Sequence, residues 1–381
     1  MKHKTQWILI LCILFLGWLL VACEGPDQPT YDSGNPDPNP PGTTAAAMDS
    51  LSPSIGYLKD VVIVYGHGFN TTPEFNVIAF GGNVGTVLEA TSTMLTVEAP
   101  NISDATVNVK VGVKGAEFWS NELEFTFKPA VERIDEETSW PNGVAVDNDE
   151  NVYIGSANDG VIYKISTDGE KTEFTQVAVS GAIEFGPDGY LYVCMKGENK
   201  IVRVSPDGGT VEDAVLVDAP IDFDWDADKN MYIVSDGSGI KKYDSTGTLT
   251  DVATIGSPKC IRIFGNHLYV SDIWNGNILR YEITASGLEN EEVYLEGGSP
   301  LGIEFDVDGK LYYTEAWETS IYTVSAEGDE EVLFEGQLET PMHYLTFYGK
   351  AIYIVYPGWG DIGVVLKTYI GVEQAPNYGR Q

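Results

Sequence analysis

WPNGVAVDNDENVYIGSANDGVIYKISTDGEKTEFTQ, from Trp140 to Gln176, contains four short runs in which apolar and polar residues alternate. The runs are GVAVD, NVYIGS, VIYKIS and TEFTQ, and turn residues separate them. Alternation with period two is the pattern of a strand with one buried face. The next stretch, SGAIEFGPDGYLYVCMKGENKIVRVSPDGGTVEDAVLV from Ser180 to Val217, repeats the plan. Tyr192 follows Tyr153 by 39 residues, and Tyr232, Tyr269, Tyr312 and Tyr353 follow at intervals of 40, 37, 43 and 41. A repeat of about 40 residues made only of strands and turns predicts a β-propeller, here with six blades. One blade cannot bury both its faces, so the blades must stack in a ring.

The turns support this layout. The first-to-second strand turns carry Asp188-Gly189, Gly265-Asn266 and Asp308-Gly309, residue types that accept positive φ at low cost. Pro141, Pro220, Pro258, Pro300 and Pro341 open the first strand of most blades, where no ladder donor is needed. The last repeat shows only three runs: Tyr344–Phe347, Ile352–Tyr356 and Gly363–Ile370. Ala130–Asp135, just ahead of the first repeat, is a spare strand. We expect it to become the outer strand of blade six and to cover an otherwise exposed edge. The blade texture from Val131 to Gln381 resembles the NHL-repeat and gluconolactonase-like six-bladed propellers. That resemblance implies a fold, and the fold carries enzymes and binding modules alike.

The N-terminus reads as a sorting signal. Lys2 and Lys4 precede an apolar run from Trp7 to Ala22, too short for a spanning helix and ending in small residues. Leu20-Val21-Ala22-Cys23 resembles a bacterial lipobox, which implies removal of residues 1–22 and acylation of Cys23. Residues 23–50 then form a flexible tether rich in Pro, Asp, Asn and Gly. From 51 to 129 strands alternate with turns, without helical period. Gly66-His67-Gly68-Phe69 and Phe80-Gly81-Gly82 resemble the turn and hairpin of an IPT/TIG immunoglobulin-like domain. Phe69 and Phe80 would fill a sandwich core. No helix follows Gly66-His67-Gly68, so it is not a phosphate loop. The fold class expected is therefore all-β: an Ig-like sandwich, then a six-bladed propeller over 130–381.

The chain has 57 acidic against 22 basic side chains and a net charge of −35. Such a field repels nucleic acid, so no nucleic-acid partner is expected. Neutral ligands and cations remain, and acidity also serves solubility. Cys12 leaves with the signal and Cys23 carries the lipid. Cys194 and Cys260 fall in non-adjacent blades, so free buried thiols are expected instead of a disulfide. The sequence contains no His-Glu-x-x-His, Gly-x-Ser-x-Gly or P-loop motif.

In such a ring the connections between second and third strands, and those between blades, surround one mouth of the channel. Three tryptophans fall at equivalent places there: Trp274 with Asp272 and Asn275, Trp317 with Glu315, and Trp359. Trp140, Asn142 and His343 join them from the inter-blade side. Exposing an indole is costly unless something covers it. Sugar rings stack on indoles, and the flanking carboxylates and amides suit hydroxyl groups. The competing reading makes each indole a structural lid on its neighbouring blade. A lone histidine such as His343 is more often packing than a general base.

A second constellation aligns Ala145, Glu184, Asp224, Arg262, Glu304 and Leu345 at one near-axial position. Either Arg262 pairs with the carboxylates, or Glu184, Asp224 and Glu304 bind a cation such as calcium. The gluconolactonase resemblance implies a divalent metal held by a Glu before Gly-Pro, an Asn from a Pro-Asn turn, and an Asp. Only Pro141-Asn142-Gly143 resembles such a turn, and Glu184 lies within Ile-Glu-Phe. The expected function is a surface-anchored lipoprotein that binds an extracellular ligand, a glycan, without catalysis. Its layout is similar to the glycan-binding lipoproteins of Bacteroidetes polysaccharide-utilisation systems. That similarity implies an outer-membrane location, surface-exposed or periplasmic, with transport proteins as partners. A calcium-dependent lactonase or lyase and a protein–protein interaction module are the alternatives.

Overall fold

A computed structural model describes residues 45–338, 344–357 and 363–379. Cys23, the signal segment, His343 and Trp359 lie outside the described residues. The described chain is all-β and divides into two compact units. One comprises the residues up to Ser54 with Val61–Pro100 and Thr106–Phe125; the other comprises Ile55–Asp60, Asn101–Ala105 and Thr126–Gln381. Among the described residues, no helix is long and apolar enough to cross a membrane.

The N-terminal strands are β1 Ala47–Ser52, β2 Ile55–Gly56, β3 Val61–His67, β4 Asn76–Phe80, β5 Asn83–Ala90, β6 Met94–Glu98, β7 Ala105–Val113 and β8 Leu123–Phe127. They bond in the order β1-β3-β6-β5-β4-β7-β8-β2. Val62, Val64, Ile78, Phe80, Leu95, Val97, Val109, Val111 and Phe125 alternate inward and are fully buried. Phe80 meets Phe125 edge to face at 5.5 Å. β1 begins four residues ahead of the expected start at Leu51. Its polar run AMDSLS hides a strand that Asn121 pins: Asn121 Oδ1 accepts the Met48 N–H at 2.8 Å, and Asn121 Nδ2 donates to Met48 O at 2.9 Å.

The rest is six four-stranded antiparallel sheets, five of them meanders of consecutive strands. Their strands are called a to d from the axis outward. Blade one is Pro141–Val146, Val152–Ser156, Val161–Ile165 and Lys171–Thr175. Blade two is Ile183–Phe185, Leu191–Met195, Lys200–Val204 and Val211–Leu216. Blade three is Pro220–Trp225, Met231–Ser235, Gly239–Tyr243 and Leu249–Ala253. Blade four is Pro258–Phe264, His267–Asp272, Asn277–Thr284 and Gly287–Glu296. Blade five is Pro300–Phe305, Leu311–Glu315, Ile321–Val324 and Glu330–Leu333. Blade six takes Tyr344–Tyr348, Ala351–Tyr356 and Val364–Tyr369 from the C-terminal part of the chain, and its fourth strand is β9, Val131–Asp135. Val365 faces Asp135 and Thr368 faces Val131, so the ring closes with a strand from its own start.

Two of the repeated tyrosines show what the position does. Tyr153 lies on strand b of blade one and packs edge to face on Phe174 at 4.9 Å and on Phe185 of the next blade at 5.2 Å. Its hydroxyl donates to Asp147 Oδ2 at 3.0 Å, and Tyr312 donates to Asp306 Oδ2 at 2.9 Å. The same aspartates tie the a–b turns. Asp306 Oδ1 accepts from the N–H groups of Asp308 and Lys310, and Asp147 Oδ1 accepts from those of Asp149 and Asn151. In blades one and five the repeated tyrosine is therefore tied to the aspartate that clamps the a–b turn.

Blade six corrects one alignment. Tyr353 pairs with Thr346, not Leu345, whereas Tyr153, Tyr192, Tyr232, Tyr269 and Tyr312 pair with Ala145, Glu184, Asp224, Arg262 and Glu304. A one-residue slip moves a side chain to the other face of its strand. The sixth residue of the axial position is thus Thr346.

Candidate functional site

The b–c connections and the inter-blade connections lie at one end of the ring, opposite the Tyr–Asp turn clamps. Trp274 and Trp317 each stand five residues after the repeated tyrosine of blades four and five. Trp274 is 84% exposed and Trp317 64%. Trp317 also sits at φ +73°, a left-handed backbone that costs a bulky side chain energy. Trp140 is 39% exposed at φ +45°, and its carbonyl accepts the Ala157 N–H at 3.0 Å.

The polar residues around them are not equally open. Asp272 ends strand b of blade four and is buried. Its Oδ2 accepts from Asn275 Nδ2 at 2.7 Å, so these two are spent largely on each other. Asn142 lies within strand a of blade one instead of in a connection. Glu315 is half-buried at the end of strand b of blade five, and Ser299 N–H reaches its Oε2 at 3.4 Å. Burial raises its carboxyl above the ordinary value, with Glu318 adding to the rise. Lys196 and Asp236 form an ion pair at 2.5 Å between the b–c connections of blades two and three, a contact the sequence reading did not foresee.

The axial carboxylates do other work. Strand a is the innermost edge of every blade, so its outward N–H groups need partners. Asp222 Oδ2 accepts the Ile261 N–H at 3.0 Å, and Asp224 Oδ2 accepts the Ile263 N–H at 2.7 Å. Their other oxygens accept from Phe223 and Trp225 N–H. Arg262 Nε donates to Glu304 at 2.9 Å, and its terminal nitrogens reach Asp222 Oδ2 at 3.0 Å and Leu345 O at 3.2 Å. Glu184 accepts from Asn377 Nδ2 at 2.7 Å. Burial, then Glu184, pushes the Asp224 carboxyl well above the usual carboxylate range. Glu184, Asp224 and Glu304 are thus engaged in holding blade edges, an arginine and a C-terminal amide. Among the described residues, no three His, Cys, Asp or Glu side chains gather closely enough for a metal ion. The donor set does not fit the calcium site expected from Glu184, Asp224 and Glu304, because each carboxylate has taken a partner of another kind. Asp222 was missed, although Ile-Asp-Phe-Asp-Trp carries two acids on one face of an apolar strand. Cys194 and Cys260 are free and buried.

Comparison with known proteins fits this architecture. Residues 46–127 match the IPT/TIG domain family. Comparison with curated proteins finds no match. Among solved structures, a gluconolactonase from Xanthomonas campestris shares 14% identity at TM-score 0.55, covering 63% of this chain and 89% of that one. The calcium-binding protein regucalcin from Agrobacterium tumefaciens shares 15% at 0.53, covering 65% and 96%. An auxiliary nutrient binding protein from Bacteroides thetaiotaomicron shares 12% at 0.52, covering 88% of this chain and 100% of that one. At such identities the likeness is one of fold.

Proposed function

We propose that the propeller is a non-catalytic receptor for an extracellular glycan, presented on a lipid anchor at Cys23 in the bacterial envelope. The carrying observation is the pair of exposed indoles, Trp274 and Trp317, at equivalent positions of adjacent blades. Glu315, two residues before Trp317, is the acceptor we assign to hydroxyl groups, while Asp272 orients Asn275. The net charge of −35 argues for a neutral or cationic ligand. The Bacteroides nutrient binding protein that shares the fold is consistent with uptake of a nutrient, with outer-membrane transport proteins as partners.

Glycan arrays and affinity gels with neutral polysaccharides test the reading. Trp274→Ala and Trp317→Ala should each weaken binding about tenfold or more, as loss of an aromatic anchor does. Binding indifferent to both substitutions would remove the glycan reading. A lactonase or lyase is the second reading, supported by the fold shared with the gluconolactonase and regucalcin; a metal in it would need donors other than Glu184, Asp224 and Glu304. Metal analysis of the purified protein separates the two: a stoichiometric, exchangeable metal favours the enzyme.

A further inference from the structure

The segment after the last blade crosses the end of the channel where the a–b turns lie. Val307 N–H donates to Glu373 O at 2.9 Å, Gln374 N–H to Gly349 O at 2.8 Å, and Ala375 N–H to Phe305 O at 2.9 Å. Gln374 forms a β-bridge with Asp306. These bonds fix the segment to blades five and six. Its far part is seated on blades two and three. Asn377 Nδ2 donates to Glu184 of blade two at 2.7 Å. Tyr378 packs on the apolar clusters around Ile221 and Phe223. Gly379 is buried so tightly that a Cβ there would lie 2.5 Å from Phe185 O and 2.6 Å from the Trp225 ring. Asn377 Oδ1 accepts the Gly379 N–H at 2.8 Å and shapes that last turn.

The segment therefore reaches from one side of the ring to the other. Between it and the axial residues Asp224, Arg262 and Glu304 remains a cavity of about 20 Å³, room for one water molecule. We propose that Gly371–Gly379 is a strap that seals the channel at its a–b turn end, so that ligands reach the axial polar groups only from the face bearing Trp274 and Trp317. The proposal rests on the strap's own contacts and holds whether or not the indoles bind sugar.

Hydrogen exchange of the full chain, followed peptide by peptide, tests it. The variants are Asn377→Ala with Tyr378→Ala, and Gly379→Ala, which removes nothing and only pushes the strap from its seat. The Trp225 and Ile263 amides, held by Asp224 beneath the strap, should exchange about tenfold faster in both variants. Amides of the inner ladders, such as Val202 and Ile233, should keep the wild-type rate. Unchanged rates at Trp225 and Ile263 would overturn the proposal. So would equal acceleration at all four amides, because the segment would then be part of the global fold and not a local seal. Glycan binding by the same variants should be unaltered, which separates failure of the strap from failure of the glycan reading.

Discussion

Trp317 combines two unfavourable features: an exposed indole and a left-handed backbone. Glycine pays no steric cost at φ +73°. Trp317→Gly should therefore keep or raise thermal stability, by up to about 1 kcal/mol, while losing glycan binding. Thermal denaturation beside a binding titration checks both halves; a loss of stability without a loss of binding would make the indole structural. Glu315 gives a second prediction. Its carboxyl is raised, so within the folded protein it ionises at higher pH than an ordinary glutamate. As an acceptor for hydroxyl groups it works best ionised, so affinity should fall on acidification, and at a higher pH than an ordinary glutamate would give. Glu315→Gln should flatten that profile in titrations across pH. The sign for stability is opposite: a raised carboxyl favours folding at low pH and loses that contribution as pH rises. At this scale the sequence revealed the indoles, because tryptophan in a polar connection stands out. It did not reveal that Asp272 is buried on Asn275, since both acid and amide look available until the turn is drawn.

At the scale of elements, the a–b turn of blades one and five is a clamp built on one aspartate. Asp306 accepts three hydrogen bonds, from two backbone amides and Tyr312, and is nearly fully buried. Asp306→Ala strands those donors and should cost about 2–4 kcal/mol in chemical denaturation, whereas Tyr312→Phe should cost about 1 kcal/mol. Equal costs would mean the turn amides find other partners. The blades were legible because each strand alternates and each turn carries Gly, Asp or Asn. Pro141, Pro220, Pro258 and Pro300 each open strand a, and each precedes a shift in pairing register with strand b. The slip at Leu345 had a different cause. Counting four residues on from proline reaches the axial position in blades one, three, four and five, but the same count from Pro341 reaches Leu345, one short of Thr346, the partner of Tyr353. The C-terminal strap has neither alternation nor turn spacing, and only its docking gives it shape.

At the scale of the molecule, closure decides stability. β9 supplies the fourth strand of blade six, and without it strand c of that blade becomes an exposed edge. Removing residues 130–135 while rejoining the flanks should lower the melting temperature by several degrees and promote self-association, as read by calorimetry and light scattering. An unchanged melting temperature would mean that the ring holds by blade packing alone. That β9 would close the ring was readable in the sequence, since a six-repeat count left one strand missing and one strand spare. What the axial acids do was not readable, because an acid on an inner edge has the same spelling whether it binds a cation or a neighbour's amide.

The seam between β9 and the last strand also has a mechanical side. Tension arriving along the chain from its N-terminal side enters the propeller at Val131, the first residue of a strand laced to Val364–Tyr369. A pull there meets a row of hydrogen bonds between β9 and the last strand of blade six before it meets any loop. Flow or a large polymer tugging on the protein would therefore load the stitch between the first and last strands of the propeller before any other part of the ring.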